Sequence, residues 1–205
     1  MRTEHVEVLV EEPSMEEALR LLLPSMLNEI TFEVHQHQGK RDLLTQLPQR
    51  LRGYAAWMPD TWRIVVIVDR DDEECDTLKS RLEAAAKNEG LATRSSPVGG
   101  RYVVVNRLAI EELEAWYFGD WEAVRAAYPS VPETIPQRAP FRDPDAVAGG
   151  TWEAFERVLQ RAGYFRTGLR KIEVARAVAV KMDSSRNRSR SFRALRDALL
   201  DMAAV

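Results

Sequence analysis

The pattern of apolar and polar positions divides the first half of the chain into alternating strands and helices. Residues 4–10 (EHVEVLV) partly alternate and predict a strand. Met15, Ala18, Leu19, Leu22, Leu23 and Met26 then recur at steps of three and four, one face of a helix. Ser14 is placed to cap that helix, and Pro24 is expected to kink or end it. Residues 30–36 alternate again and predict a second strand. Gly39 turns the chain, and residues 40–57 read as a helix interrupted at Pro48. Residues 64–68 are β-branched without a break, as in a strand buried on both faces of a parallel sheet. Cys75, Leu78, Leu82 and Ala85 mark a helix that Gly90 ends, with Cys75 on its apolar stripe. Residues 101–107 (RYVVVNR) predict a fourth strand, followed by helices near 110–117 and 121–127.

This order predicts an α/β fold, an open, mainly parallel sheet with crossover helices, over residues 1–128. Residues 129–150 carry Pro129, Pro132, Pro136, Pro140, Pro144, Gly149 and Gly150, and read as an irregular connector rather than a packed element. Residues 151–205 hold three helical patterns, at 152–162, 170–182 and 191–203. They form a basic extension expected to pack on the first domain. A chain of 205 residues suits one such domain with a modest appendage.

Charge changes this picture. The net charge is -3, yet residues 157–196 hold 12 Arg/Lys against Glu173 and Asp183, a local +10. The remainder therefore sums to -13. A basic tail beside an acidic body fits a polyanionic partner, because Lys/Arg clusters displace counterions from phosphate backbones. It fits equally a tail docked on the acidic body. Arg186, Arg188 and Arg190 stand in the polar turn of that tail. The single cysteine, Cys75, excludes an internal disulfide, and a reduced cytoplasm is the simplest location. No apolar run approaches the ~18 residues of a membrane span, so no membrane association is expected. The start, MRTEHVEVLV, lacks a signal-peptide pattern.

In an open parallel sheet, ligands bind beyond the carboxyl ends of the strands. Glu11 and Glu12 follow the first strand there, Asp69 and Asp71 the third, and Glu111, Glu112, Glu114 and Asp120 the fourth. Carboxylates that converge repel one another unless a cation neutralises them, and Mg²⁺ favours such hard oxygen ligands. Asp72, Glu73 and Glu74 are better explained as acids at a helix N-terminus. Asp69 lies at the strand's end, before any helix.

Three separated stretches, VEEPSME at 10–16, VDRDD at 68–72 and AIEELEAWYFGD at 109–120, together resemble the bacterial family catalogued as domain of unknown function 4276. GKRDLLTQLPQRLRGYA from Gly39 and SRSFRALRDAL around Phe192 also fit it, so the resemblance spans nearly the whole chain. That family is similar to Toprim domains, the catalytic fold of topoisomerases, primases and certain nucleases. The resemblance implies a glutamate after the first strand, here Glu11, and a DxD after the third, here Asp69-Arg70-Asp71. Many Toprim nucleases have glycine directly after the glutamate. This chain has Glu12 and then Pro13.

The resemblance implies an Mg²⁺- or Mn²⁺-dependent nuclease in which Glu11, Asp69 and Asp71 hold the metal, linked to an AAA/ABC-type ATPase in anti-phage defence. Glu114 is a candidate additional ligand or water-orienting acid. Lys40, Arg70 and Arg107 are candidates for phosphate contacts, or equally for surface ion pairs. Two other readings stay open: an interaction module that keeps the fold without catalysis, suggested by Glu12-Pro13, and a small-molecule phosphotransfer enzyme using the same acids. His35 and His37 lack the Cys/His partners of a zinc site and read as structural or surface residues. Homo-oligomers are possible. No glycine-rich phosphate loop is present.

Overall fold

The computed structural model describes residues 2–70, 73–110 and 112–204. Asp71, Asp72 and Glu111 lie outside them. The order is β1 (His5–Val10), α1 (Pro13–Leu27), β2 (Thr31–Gln36), α2 (Lys40–Trp57), β3 (Trp62–Asp69), α3 (Cys75–Asn88) and β4 (Val104–Ala109). Then follow α4 (Leu113–Gly119), α5 (Trp121–Ala127), α6 (Thr151–Arg161), α7 (Lys171–Ala179) and α8 (Arg190–Ala204). Among the described residues the strands form one four-stranded sheet, ordered β2-β1-β3-β4. Every pairing is parallel, with Glu7 opposite Glu33 and Ile64, and Val66 opposite Asn106. The architecture is an open α/β sheet consistent with a Toprim-like fold.

The central strand β3 is apolar on both faces because both are covered. Val6, Val8 and Val10 of β1, with Val65 and Ile67 of β3, pack with α1 and with residues of α4 to α8. Leu9, Ile64, Val66 and Val68 pack with α2 and α3. This two-sided burial explains the unbroken β-branched run of β3.

Two prolines behave differently from expectation. α1 runs through Pro24 to Leu27, and α2 runs through Pro48 to Trp57. Both rings sit on the exposed side, where water can satisfy a freed carbonyl. Leu22, Leu23, Met26 and Leu27 on the other side of α1 are buried and hold the helix in place. The fourth strand is also displaced, from 101–107 to Val104–Ala109. Arg101 instead closes a tight turn onto Val98 through Gly99 and Gly100, both at positive φ.

The proline-rich stretch packs rather than merely connecting. It holds three short 3₁₀ turns, Ile135–Gln137, Ala139–Phe141 and Pro144–Ala146. Proline's fixed φ suits such turns, and Val131 before them, Ile135 in the first and Val147 after the last are buried. Asp145 accepts from the Ser189 and Ser191 hydroxyls at 2.7 and 2.8 Å, and from the Arg190 amide at 2.5 Å. The basic tail is held to the acidic body: Arg176 clamps Glu17 at 2.7 and 3.0 Å, and Arg186 pairs with buried Asp120 at 2.7 Å. No helix among the described residues is long and apolar enough to cross a membrane.

Candidate functional site: an acidic rim at the switch point

β1 is followed by a crossover to β2 on one side, while β3 and β4 lie on the other. The crevice between the carboxyl ends of β1 and β3 is therefore the topological switch point of the sheet. Glu11 leaves β1 there and Asp69 ends β3 there. Each is 8% exposed. The Glu11 Oε1 atom accepts from the Asp69 amide at 2.7 Å. Fifty-eight residues apart in sequence, the Glu11 side chain and the Asp69 backbone meet at this edge of the sheet. The β3 end is tied to β4 by the Arg70 amide donating to the Ala109 carbonyl at 2.9 Å.

Glu12, where many Toprim nucleases have glycine, has φ -137° and ψ 159°. That is extended backbone open to any residue, so no glycine is required. Glu12 is the N-cap position of α1, and Pro13 takes the first turn, where its missing N–H costs nothing. Ser14 is therefore not the cap. It is buried inside the first turn and donates to Glu12 Oε1 at 2.6 Å.

The fourth strand's acids approach from the other side. Glu112 precedes α4 and accepts from the Trp152 amide at 2.9 Å, fixing the start of α6. Glu114, in the first turn of α4, is 1% exposed. Its Oε2 has no hydrogen-bond partner among the described residues. Burial pushes its carboxyl up to about 7; Lys171 opposes the rise, and Glu112 and Glu12 add to it. Beneath it the Tyr117 hydroxyl is also buried, and burial with the Glu114 and Glu12 charges pushes it well above its ordinary value.

Lys171, the first residue of α7, supplies the counter-charge. Its Nζ lies 3.7 Å from Glu12 Oε1 and 5.5 Å from the centre of the Trp152 ring. Burial alone would push the ammonium down. Glu114, Glu12, Glu112 and Asp69 more than reverse that, so it stays firmly charged. The sequence reading missed Lys171, because it comes to the rim only through the packing of α7 on α1. Its one sequence-level signal was membership of the basic segment.

The other expected residues separate into two groups. Lys40, at the start of α2, reaches the rim: its Nζ donates to the Arg70 carbonyl and pairs with Glu73, both at 2.9 Å. Glu73 is thus an ion-pair partner as well as an acid near a helix start. Arg70 itself lies at the rim, half-buried. Arg107 lies away from the crevice. It donates from Nε to the Ala194 carbonyl of α8 at 3.0 Å. Arg186, Arg188 and Arg190 gather beyond Gly119, at the far end of α4 from Glu114, about 9 Å along its axis. There Arg186 holds Asp120, Arg188 donates to the Arg142 carbonyl at 2.5 Å, and Arg190 pairs with Asp143 at 2.7 Å. Cys75 opens α3 on the same stripe as Leu78, Leu82 and Ala86, but at the helix end it is only half-buried. His37 is structural, bonded through Nδ1 to the Val10 carbonyl at 2.9 Å.

Among the described residues no three His, Cys, Asp or Glu side chains gather tightly enough to hold a metal ion. Asp71, the third expected ligand, lies outside them. Acid side chains suit a hard divalent cation: Glu11 and Asp69 are both buried at this edge of the sheet, and Glu114 offers a buried oxygen without a hydrogen-bond partner among the described residues.

A family model described as "Domain of unknown function (DUF4276)" matches residues 10–200 of the chain. No curated protein and no solved structure matches it.

Proposed function

The chain belongs to the DUF4276 family, and from that premise we propose that it is a metal-dependent phosphodiesterase, a nuclease of the Toprim type. The observation that carries the reading is the meeting of Glu11 with Asp69 at the switch point of the sheet. Glu11 and Asp69, with Asp71, would hold Mg²⁺ or Mn²⁺, which when bound supplies Lewis-acid stabilisation of phosphate charge.

The chain's own residues supply the rest. Lys171 places a fixed ammonium beside the acids, suited to the extra negative charge of a phosphoryl transition state. Glu114, held near 7, carries a proton close to neutrality and is matched to passing it to a leaving oxygen. Lys40 holds the Arg70 carbonyl just past the end of β3. Nucleic acid is the proposed substrate and an AAA/ABC-type ATPase the proposed partner, both supported by the resemblance alone. The pairing of the tail's arginines with body acids weakens the case for the tail as the binding surface. Incubation of purified protein with plasmid DNA or RNA and Mg²⁺ or Mn²⁺ tests the reading. Cleavage that disappears in Lys171→Met and in Glu11→Gln supports it, and equal traces in all three proteins refute it.

An interaction module without catalysis is the second reading. It is favoured by the Glu11 oxygen already engaged by the Asp69 amide. Calorimetric titration with Mn²⁺ separates the two, because the module binds no metal.

A further inference from the structure

On the α2 face of the sheet, well below the rim, β1 carries a second buried acid. Glu7 is 7% exposed. It lies four residues before Glu11, roughly 13 Å along the strand. Its Oε2 lies 2.5 Å from His35 Nε2 and accepts from the Tyr54 hydroxyl at 3.1 Å, while His5 Nε2 stands 3.3 Å from Oε1. Burial works against the charged carboxyl, but His35 and then Tyr54 hold it below its ordinary value. An ionised Glu7 in turn fixes the orientation of the His35 ring.

This cluster forms the floor of a groove of about 490 Å³ between β1, β2 and α2. That size is within the range of small-molecule sites. Arg50, Gly53 and Trp57 of α2 line it at intervals of three and four, so they share one helix stripe. Arg50 stands close enough to the Tyr54 hydroxyl to stabilise its anion. Arg52, on the same helix, is clamped by Glu89 at 3.0 Å through two bonds. Arg50 has no acid within ion-pair distance among the described residues.

Gly53 sits mid-helix between Arg50 and Trp57, where glycine costs about 0.5–1 kcal/mol relative to alanine. A Cβ there would meet nothing within 4 Å, so packing does not demand the glycine. What its absent side chain leaves is open floor between a cation and an indole. Trp57 is 58% exposed, its ring tilted at 49° to that of Tyr54 and edge-on to Trp62.

We propose that this groove is a binding site for a small ligand joining a flat aromatic ring to a phosphate, of the nucleoside monophosphate class. The ring lies on Trp57, and the phosphate is held by Arg50 beside the Tyr54 hydroxyl and the His35 ring. Arg50 and Trp57 are about 10 Å apart along the helix axis, a span that a nucleotide's sugar bridges once the side chains lean inward. Guanidinium matches phosphate oxygens bidentately, and indole is the strongest aromatic platform for a base.

The test is titration of the whole protein with AMP, adenosine and inorganic phosphate, followed by calorimetry and tryptophan fluorescence. AMP should bind saturably and at least tenfold tighter than adenosine or phosphate alone. Arg50→Gln should weaken AMP tenfold or more, Arg50→Lys less so, and Trp57→Phe should remove the fluorescence response. Glu11→Gln, at the rim, should leave AMP affinity unchanged. The proposal is overturned by no AMP binding at millimolar concentration, by affinity unchanged in Arg50→Gln, by phosphate binding as well as AMP, or by loss of AMP binding in Glu11→Gln.

Discussion

Replacing Glu114 by glutamine should separate the stability of the protein from pH in a defined window. The folded carboxyl titrates at about 7, against an ordinary 4.5. Between those values the unfolded chain has lost the proton and the folded chain keeps it. The folded state therefore binds more protons, and wild-type stability falls as pH rises from 4.5 through 7. The loss amounts to about 3 kcal/mol once pH exceeds both values, of which about 2.5 kcal/mol accumulates between pH 5 and 8. Glutamine does not titrate, so the variant lacks this contribution. Other titrating groups act on both proteins alike and cancel in the difference. Urea unfolding at pH 5 and pH 8 reads the effect. With a slope of about 2 kcal/mol per molar, the gap between variant and wild-type midpoints should widen by about 1 M at the higher pH. A gap that stays constant across those two pH values would show that Glu114 is not held protonated by its burial.

Lys171→Met removes the charge opposing that rise, so the Glu114 carboxyl should titrate still higher; the same urea series should then keep changing above pH 8. Glu11→Ala leaves the Asp69 amide without its acceptor and should cost about 1–3 kcal/mol in chemical unfolding, whereas Asp69→Asn, which keeps that amide, should cost less. Asp145→Ala strips an acceptor from two serine hydroxyls and the Arg190 amide. It should cost about 3 kcal/mol or more and expose residues 184–191 to proteolysis. Gly53→Ala should raise stability by about 0.5–1 kcal/mol in thermal unfolding, since a Cβ there meets open space.

Much of the sheet was legible from the sequence because its signals are local. The β-branched run before Asp69, the alternation of residues 30–36 and the helix at Trp121–Ala127 each depend on neighbours along the chain. Pro24 and Pro48 misled, because a proline's cost depends on which side of the helix faces solvent, and that is set by packing. The place of β4 was missed by three residues for a similar reason. Gly99 and Gly100 turn Arg101 back onto Val98, so the strand starts later.

The rim was half legible. Glu11 and Asp69 could be paired because motifs at the ends of parallel strands must share one edge of the sheet. Lys171 could not, since its approach depends on α7 lying against α1. Nor was the environment of Glu7 and His35 legible. Both sit in short alternating strands, and only the register of β1 against β2 brings the carboxylate to the imidazole. The arginines of the tail illustrate the limit of charge counting. A local excess of +10 is an observation about composition, and its partners turned out to include Glu17, Asp120 and Asp143 of the same chain.

The most direct test of the acidic rim is nucleic-acid cleavage by wild type and Asp69→Asn, purified in parallel and assayed with Mn²⁺ and Mg²⁺ against plasmid DNA and single-stranded RNA. The account predicts metal-dependent cleavage by wild type, abolished by EDTA, and at least a hundredfold loss in the equally folded variant. Metal-dependent cleavage that Asp69→Asn retains in full, or no cleavage by either protein together with no metal binding by wild type, would contradict it.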